Sequence, residues 1–193
     1  MCIRDRFLGN IQPELQRRVR AQCATARLAA LDSMNLWIET TRDALLAAVR
    51  EVDCVMLNDA EVRMLTREPN LARAARSLME MGPRIVVAKR GEYGAVLFTS
   101  DGSFALPGIL LEDVRDPTGA GDSFAGGFLG YLDMQGTERP SEAALRRAVA
   151  YGTVLASFNV EEFGTERVVR LTEPEIGERY EQLRAMTHFE LSD

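Results

Sequence analysis

The sequence predicts an α/β fold of three layers: a mainly parallel sheet with helices on both of its faces. Three observations predict it. Short runs with apolar centres recur at Leu28–Asp32, Cys54–Leu57 and Arg84–Lys89. They are apolar throughout instead of alternating, as strands buried on both faces are. The segments between them carry helix punctuation, and strands that alternate with helices pair in parallel through crossovers.

The elements follow in chain order. Met1–Arg6 leads abruptly into Phe7-Leu8-Gly9-Asn10, which reads as a strand end and the turn after it. Residues 1–6 are therefore expected to be a non-native leader. Residues 7–193 are expected to be the C-terminal part of a single domain that lacks its natural front. Pro13 to about Cys23 reads as a helix, with Pro13 in its first turn. Thr40 or Thr41 is expected to cap a helix through Arg50, with Leu45, Leu46 and Val49 facing inward. A short helix follows the second strand, from Asp59 to Leu65. Asn70 caps Leu71–Met81, and Gly82-Pro83 ends that helix.

After the third strand, Gly91 and Gly94 bracket a tight turn into Ala95–Phe98. Asp101-Gly102 turns again toward Phe104–Leu106, giving the sheet an antiparallel margin. A helix from Gly121 to about Met134 carries Phe124, Phe128, Tyr131 and Leu132 as one inward stripe. Gly126, Gly127 and Gly130 would each cost about 1 kcal/mol in an isolated helix, so that face is expected to meet another backbone closely. Ser141 caps the next helix, to about Asn159, and a last one runs from Pro174 to about Met186.

Composition narrows the function. The net charge of -6, with Lys and Arg spread along the chain, argues against a nucleic-acid partner. No apolar run reaches the roughly 18–20 residues of a membrane span. Cys2, Cys23 and Cys54 are odd in number and far apart, which fits free thiols in a cytoplasmic setting. His188, the single histidine, lies near the C-terminus and has no partner motif. Trp37 reads as a core or lid contact, and Asp32-Ser33-Met34-Asn35 follows a strand and can approach a site at its end.

The chemistry concentrates in Asp116-Pro117-Thr118-Gly119-Ala120-Gly121-Asp122, which runs into the helix through Phe128. Gly119 and Gly121 leave backbone N–H groups clear to face an anion, and the helix adds its positive end. Asp122 places a carboxylate beside that cradle, the pairing that phosphoryl transfer to a hydroxyl requires. Upstream, Asn58-Asp59-Ala60-Glu61 forms a capping box. Lys89-Arg90-Gly91-Glu92-Tyr93-Gly94 ends a strand in a Gly-x-x-Gly turn with two cations beside it.

The run from Asp116 to Phe128, with its Gly126-Gly127 pair, resembles the C-terminal signature of the ribokinase-like (PfkB) carbohydrate kinase family. The resemblance covers nearly the whole chain from Phe7 onward and implies an ATP-dependent sugar kinase, with an adenosine-like nucleoside kinase as the alternative. It implies that Asp122 is the base and that the amides of Gly119, Ala120 and Gly121 form the anion hole. Asn58 and Glu61 would hold Mg²⁺. Lys89, Gly91, Gly94, Thr118 and Gly152 would line the ATP site, with Tyr151 beside Gly152 in helix packing. Asp116 and Thr118 would form a monovalent-cation (K⁺) site. Pro117 stands where Thr is common, and Lys89 where Thr is frequent. The implied parent is a cytoplasmic enzyme, a homodimer in some forms, acting on a small sugar or nucleoside. Relatives carry an N-terminal portion with a Gly-Gly sugar motif and a lid that this chain does not contain. A third reading, from another class, is therefore a nucleotide-binding fragment without activity.

Overall fold

The structure, a computed structural model, describes residues 5–136 and 139–189. The chain forms two compact units. The first comprises residues through Gly91 together with Val96–Ala105. The second comprises Glu92–Ala95, Leu106–Gly136 and the chain from Pro140 on.

The first unit is built on six strands with helices between them. In chain order these are β1 (Asp5–Leu8), α1 (Pro13–Gln22), β2 (Leu28–Leu31), α2 (Asn35–Thr40), α3 (Arg42–Val49), β3 (Cys54–Asn58), α4 (Asp59–Thr66), α5 (Leu71–Met81), β4 (Ile85–Lys89), β5 (Ala95–Thr99) and β6 (Gly102–Leu106). The sheet runs β1-β2-β3-β4-β5-β6, and the first four strands are parallel. The links to β5 and β6 are far shorter than the dozen residues a parallel crossover requires, so both join antiparallel and the sheet is mixed.

Strands β2, β3 and β4 are apolar up to their carboxyl ends, where β3 closes on Asn58 and β4 on Lys89, because both faces are covered. Leu31, Val55, Leu57, Val86 and Ala88 pack with Leu45, Val49, Val62, Leu65 and Leu78. The residues of opposite parity, Ala30, Cys54, Met56 and Val87, are buried as well. Burial pushes the Cys54 thiol far up, so it stays protonated.

Parallel register brings the carboxyl ends together: Leu31 lies beside Leu8, Val55 beside Leu31, and Lys89 beside Asn58. Gln16 of α1, fully buried, stitches two of those ends. Its Nε2 donates to Gly9 O and to Asp32 O, each at 2.8 Å.

Two local expectations change. Asn35–Thr40 forms the separate helix α2, whose packed run Leu36-Trp37-Ile38 has no helical period to read. Thr41 precedes α3 at φ −139° without capping it, and its hydroxyl donates back to Trp37 O at 3.3 Å. Of the expected leader, Met1–Arg4 lie outside the described residues. Asp5 and Arg6 belong to β1, opposite Leu28 and Ala29, and the Asp5 carboxylate pairs with Arg27.

The second unit is helical: α6 (Ala120–Gln135), α7 (Glu142–Asn159), α8 (Glu166–Val169) and α9 (Glu173–Thr187). The short α8 was not anticipated, since four residues carry no period. Phe124, Phe128, Tyr131 and Leu132 are buried, as their spacing predicts. Of Gly126, Gly127 and Gly130 in α6, only Gly127 meets a backbone. A Cβ there would lie 2.7 Å from Tyr151 O, while Gly126 and Gly130 face open space. Gly152 on α7 is the counterpart, with room for no Cβ beside Phe124 O at 2.8 Å. Tyr151 stacks between Tyr131 and Tyr180, at 4.7 and 4.9 Å.

Arg167 bridges Glu161 and Glu175, and Arg179 pairs with Glu161 while lying over the Phe158 ring at 3.8 Å. Glu175 also closes a capping box with Thr172. The Thr172 hydroxyl and then Arg167 push the Glu175 carboxyl down to about 2.

Two stability measurements follow. Gly127→Val should destabilise by about 1–3 kcal/mol through overpacking, whereas Gly126→Ala should stabilise by about 0.5–1 kcal/mol; urea unfolding reads both, and equal signs would refute the contact. A carboxyl with a depressed pKa stabilises the fold above its ordinary value and loses that contribution as pH falls through the folded one. The difference in unfolding free energy between wild type and Glu175→Gln should therefore be constant above pH 4.5 and shrink toward pH 2.

Candidate active site

In the first unit the candidate residues gather at the strand ends. Asn58 closes β3 and caps α4: its Oδ1 accepts from Glu61 N at 2.8 Å, and Glu61 Oε2 accepts from Asn58 N at 2.9 Å. This is the capping box read from the sequence, and it buries Glu61. Lys89, the register partner of Asn58, reaches across the end of β3 to β2. There its Nζ pairs with Asp32 Oδ2 at 2.5 Å, and both side chains are largely buried. Ser33 N donates to Asp32 Oδ1 at 2.8 Å, so the carboxylate is held from two sides.

Burial raises the Glu61 pKa most. The Asn58 amide opposes that, the Asp32 carboxylate adds to it and Lys89 works against it. The cluster thus contains two carboxylates and one ammonium. The Ser33 hydroxyl, next to it in the chain, is buried without a partner among the described residues.

The glycine turn after β4 divides into two tasks. Gly91 adopts φ +58° in open space, while Gly94, at φ +85°, is pressed against the chain. A Cβ on Gly94 would lie 2.0 Å from Leu106 O, which no side chain permits.

In the second unit, Gly119 takes the left-handed conformation at the N-cap of α6, φ +81°, and Asp122 stands exposed in the first turn. The first N–H groups of a helix have no partner within it; that of Ala120 reaches Pro117 O at 3.2 Å. Asn159, buried at the end of α7, holds the loop. It donates to Thr118 O at 2.8 Å and accepts from the Ser123 hydroxyl at 2.7 Å. Asp116 accepts from Thr118 N at 2.9 Å, the main cause that keeps its pKa low and the carboxylate ionised.

The structure therefore joins Asn58, Glu61 and Lys89 in one cluster. It makes Asp116, Thr118, Gly119, Ala120, Gly121 and Asp122 one ordered turn. Gly152 serves the α6–α7 contact. One residue was noted without a role, and one was missed. Asp32 was visible only as a polar residue after a strand. Asn159 had no signal, because an Asn ending a helix reads as an ordinary stop.

Residues 10–170 match the profile described as pfkB family carbohydrate kinase. The chain is 43% identical over 112 residues to a cytidine kinase of Thermococcus kodakarensis, covering 55% of this chain and 39% of that protein. It is 31% identical over 139 residues to fructokinase-2 of Zea mays, covering 69% of this chain and 41% of the relative. It therefore spans about two fifths of the length of these relatives. The crystal structure of aminoimidazole riboside kinase from Salmonella enterica, complexed with aminoimidazole riboside and an ATP analogue, superposes with a TM-score of 0.71. That match is at 20% identity over 91% of this chain and 64% of the other, and it shows the shared fold.

Replacing Asn159 by Leu strands the Thr118 carbonyl and the Ser123 hydroxyl. The loss should be about 2–3 kcal/mol in urea unfolding, against less for Asn159→Asp, which keeps the acceptor for Ser123. A loss equal to that of a surface substitution would show that the loop does not depend on Asn159.

Proposed function

The chain belongs to the pfkB family of carbohydrate kinases, and from that premise we propose that it is the nucleotide-binding and phosphoryl-transferring part of a kinase. The reaction is transfer of the γ-phosphoryl group of ATP to a hydroxyl of a sugar. One observation supports this most: the run Asp116–Asp122 turns through a left-handed glycine into the positive end of α6, with a carboxylate in the first turn.

In this reading Asp122 takes the proton from the acceptor hydroxyl, a contribution of roughly 10²–10⁴ in rate. The amides of Gly119, Ala120 and Gly121 form the anion hole in this reading, Ala120 N–H being the one that must leave Pro117 O to do so; a preorganised donor at such a site supplies about 3–4 kcal/mol. Gly91, Gly94 and Thr118 serve the nucleotide; Gly152, which the resemblance also put there, is taken up by the α6–α7 contact, and the Lys89 ammonium by Asp32.

Asn58 and Glu61 would hold Mg²⁺, whose charge offsets that of the phosphates. Glu61 fits a cation because it is a buried carboxylate whose nearby ammonium is already paired with Asp32. Among the described residues no three His, Cys, Asp or Glu side chains stand together as a metal cage. A cation here would take its remaining ligands from phosphate and water. The ionised Asp116, with Thr118, would hold K⁺.

A nucleoside acceptor is the second reading. It is favoured by the higher identity to the cytidine kinase, 43% against 31% for the fructokinase. Among the described residues no helix is long and apolar enough to cross a membrane. A cytoplasmic, homodimeric parent and a fragment without activity of its own remain part of the proposal.

In the longer parent, Asp122→Asn or Asp122→Ala should abolish turnover and leave nucleotide affinity intact; retained turnover would remove Asp122 from the role of base. Glu61→Ala should raise the Mg²⁺ concentration needed for half-maximal rate. The 193-residue chain, assayed with Mg·ATP and a panel of hexoses, pentoses and nucleosides, should release no acceptor-dependent ADP. Such release would overturn the view that the acceptor is bound mostly by residues outside it, and the acceptor that caused it would decide between sugar and nucleoside.

A further inference from the structure

The Asp32–Lys89 ion pair has no place in the roles assigned so far, and its position is unusual. Asp32 directly follows β2 and Lys89 ends β4, with β3 between those strands. Neighbouring strands are about 4.8 Å apart, so the strands that carry the pair are separated by roughly twice that. The lysine side chain closes the distance by lying across the end of β3, beside the Asn58–Glu61 box. Taking two such charges out of water is costly, and an apolar pair of similar volume is often as good or better for stability. Asp32 is further fixed by Ser33 N, and its backbone carbonyl by the buried Gln16. The carboxylate is thus built rigidly into a strand end.

Its effect on the cluster is a matter of charge. Without Asp32, the Lys89 ammonium and the Glu61 carboxylate would neutralise each other. With it, the ammonium is consumed and one negative charge is left over. Of the other charges nearby, Asp59 pairs with Arg63, and Arg90 is exposed to solvent, where its charge is screened. Asp32 and Lys89 are the charges that act on Glu61, in opposite senses.

We propose that Asp32 is a specificity-determining residue. By occupying Lys89 it gives the Asn58–Glu61 end of the sheet a net negative charge, so that this end accepts a phosphate ligand as its divalent-metal complex and disfavours the bare anion. The proposal rests on the phosphoryl-transfer reading above and adds to it the reason for metal selectivity. Asp32 acts through Lys89 and Glu61 and need not touch the reacting atoms. Lys89 correspondingly tempers the attraction for the cation, instead of serving as a free phosphate ligand.

The test uses opposite signs, which structural damage does not produce. The 193-residue chain and its Asp32→Asn, Lys89→Met and double variants are titrated with two probes. One is Mn²⁺ alone, followed by electron paramagnetic resonance. The other is inorganic triphosphate, followed by ³¹P NMR with and without Mg²⁺. For Mn²⁺, Asp32→Asn should loosen binding and Lys89→Met should tighten it, each by about tenfold for one charge at short range in a partly screened site. The double variant restores the original net charge and should return close to wild type. For triphosphate without metal the two single variants should move the opposite way, and the preference for the Mg²⁺ complex should fall in Asp32→Asn.

Far-UV circular dichroism and thermal melting accompany each variant. If Asp32→Asn fails to fold, Lys89→Met and the double variant carry the sign test. Both single variants moving in the same direction, or neither moving, overturns the proposal; so does a failure of all the chains to bind Mn²⁺. Triphosphate binding with Mg²⁺ that is indifferent to Asp32→Asn refutes the role of Asp32 and leaves the kinase reading standing. Mn²⁺ shifts of the expected signs, with no binding of triphosphate in any form, support the charge assignment and count against the kinase reading instead.

Discussion

The constraint on which the first unit depends is that its central strands are buried on both faces. A strand in that position cannot carry a charge along its length, since an ion taken from water without a partner costs several kcal/mol. Polar side chains are therefore excluded from β2, β3 and β4 until the last residue or the one after it. Parallel register then does the rest. Strands that run the same way all end on one edge of the sheet and deliver those polar residues there, which is why Asp32, Asn58 and Lys89 meet although they are far apart in the chain. The cluster is a consequence of burial and register together.

In the second unit the comparable constraint is backbone proximity. Gly127 and Gly152 let α6 and α7 approach until carbonyl oxygens occupy the space of a side chain. That closeness sets the ends of the two helices beside each other, and so Asn159, closing α7, can reach the loop that opens α6. A loop of glycines would otherwise lose much of its order to backbone entropy, about 1–2 kcal/mol per residue fixed. Here a buried side-chain amide and the Asp116 carboxylate hold it, while the helix N-terminus supplies the field.

How much of this was legible in the sequence depends on the range of the interaction. Local rules were readable: Pro13 opening α1, the Asn58–Glu61 box, Asn70 and Ser141 as caps, the inward stripe of α6. Each is set by residues within four positions of one another. The glycine-rich loop was readable because its composition is costly without a reason. What could not be read were facts decided across the fold. Gly126, Gly127 and Gly130 look alike in sequence, and only packing separates the one that meets a backbone from the two that do not. Thr41 looks like a cap, but α2 ends against it and takes its hydroxyl. Asp32 and Asn159 are single polar residues at element ends, and nothing local distinguishes them from ordinary stops.

The same difference of range governs how the Lys89 position should be understood. Read along the chain, a lysine before Gly-x-x-Gly is a cation offered to a phosphate. Read across the sheet, it is already spoken for by Asp32, two strands away. A cation committed to a buried carboxylate is a poor electrostatic partner for a second anion, because the field of the pair falls off faster than that of the charge alone. What remains effective over several ångströms is the uncompensated charge of Glu61. An end of the sheet that looks basic in sequence is thus acidic in three dimensions. The consequence for chemistry is direct: a polyphosphate reaching Asn58 and Glu61 is better accommodated with a divalent cation attached than without one.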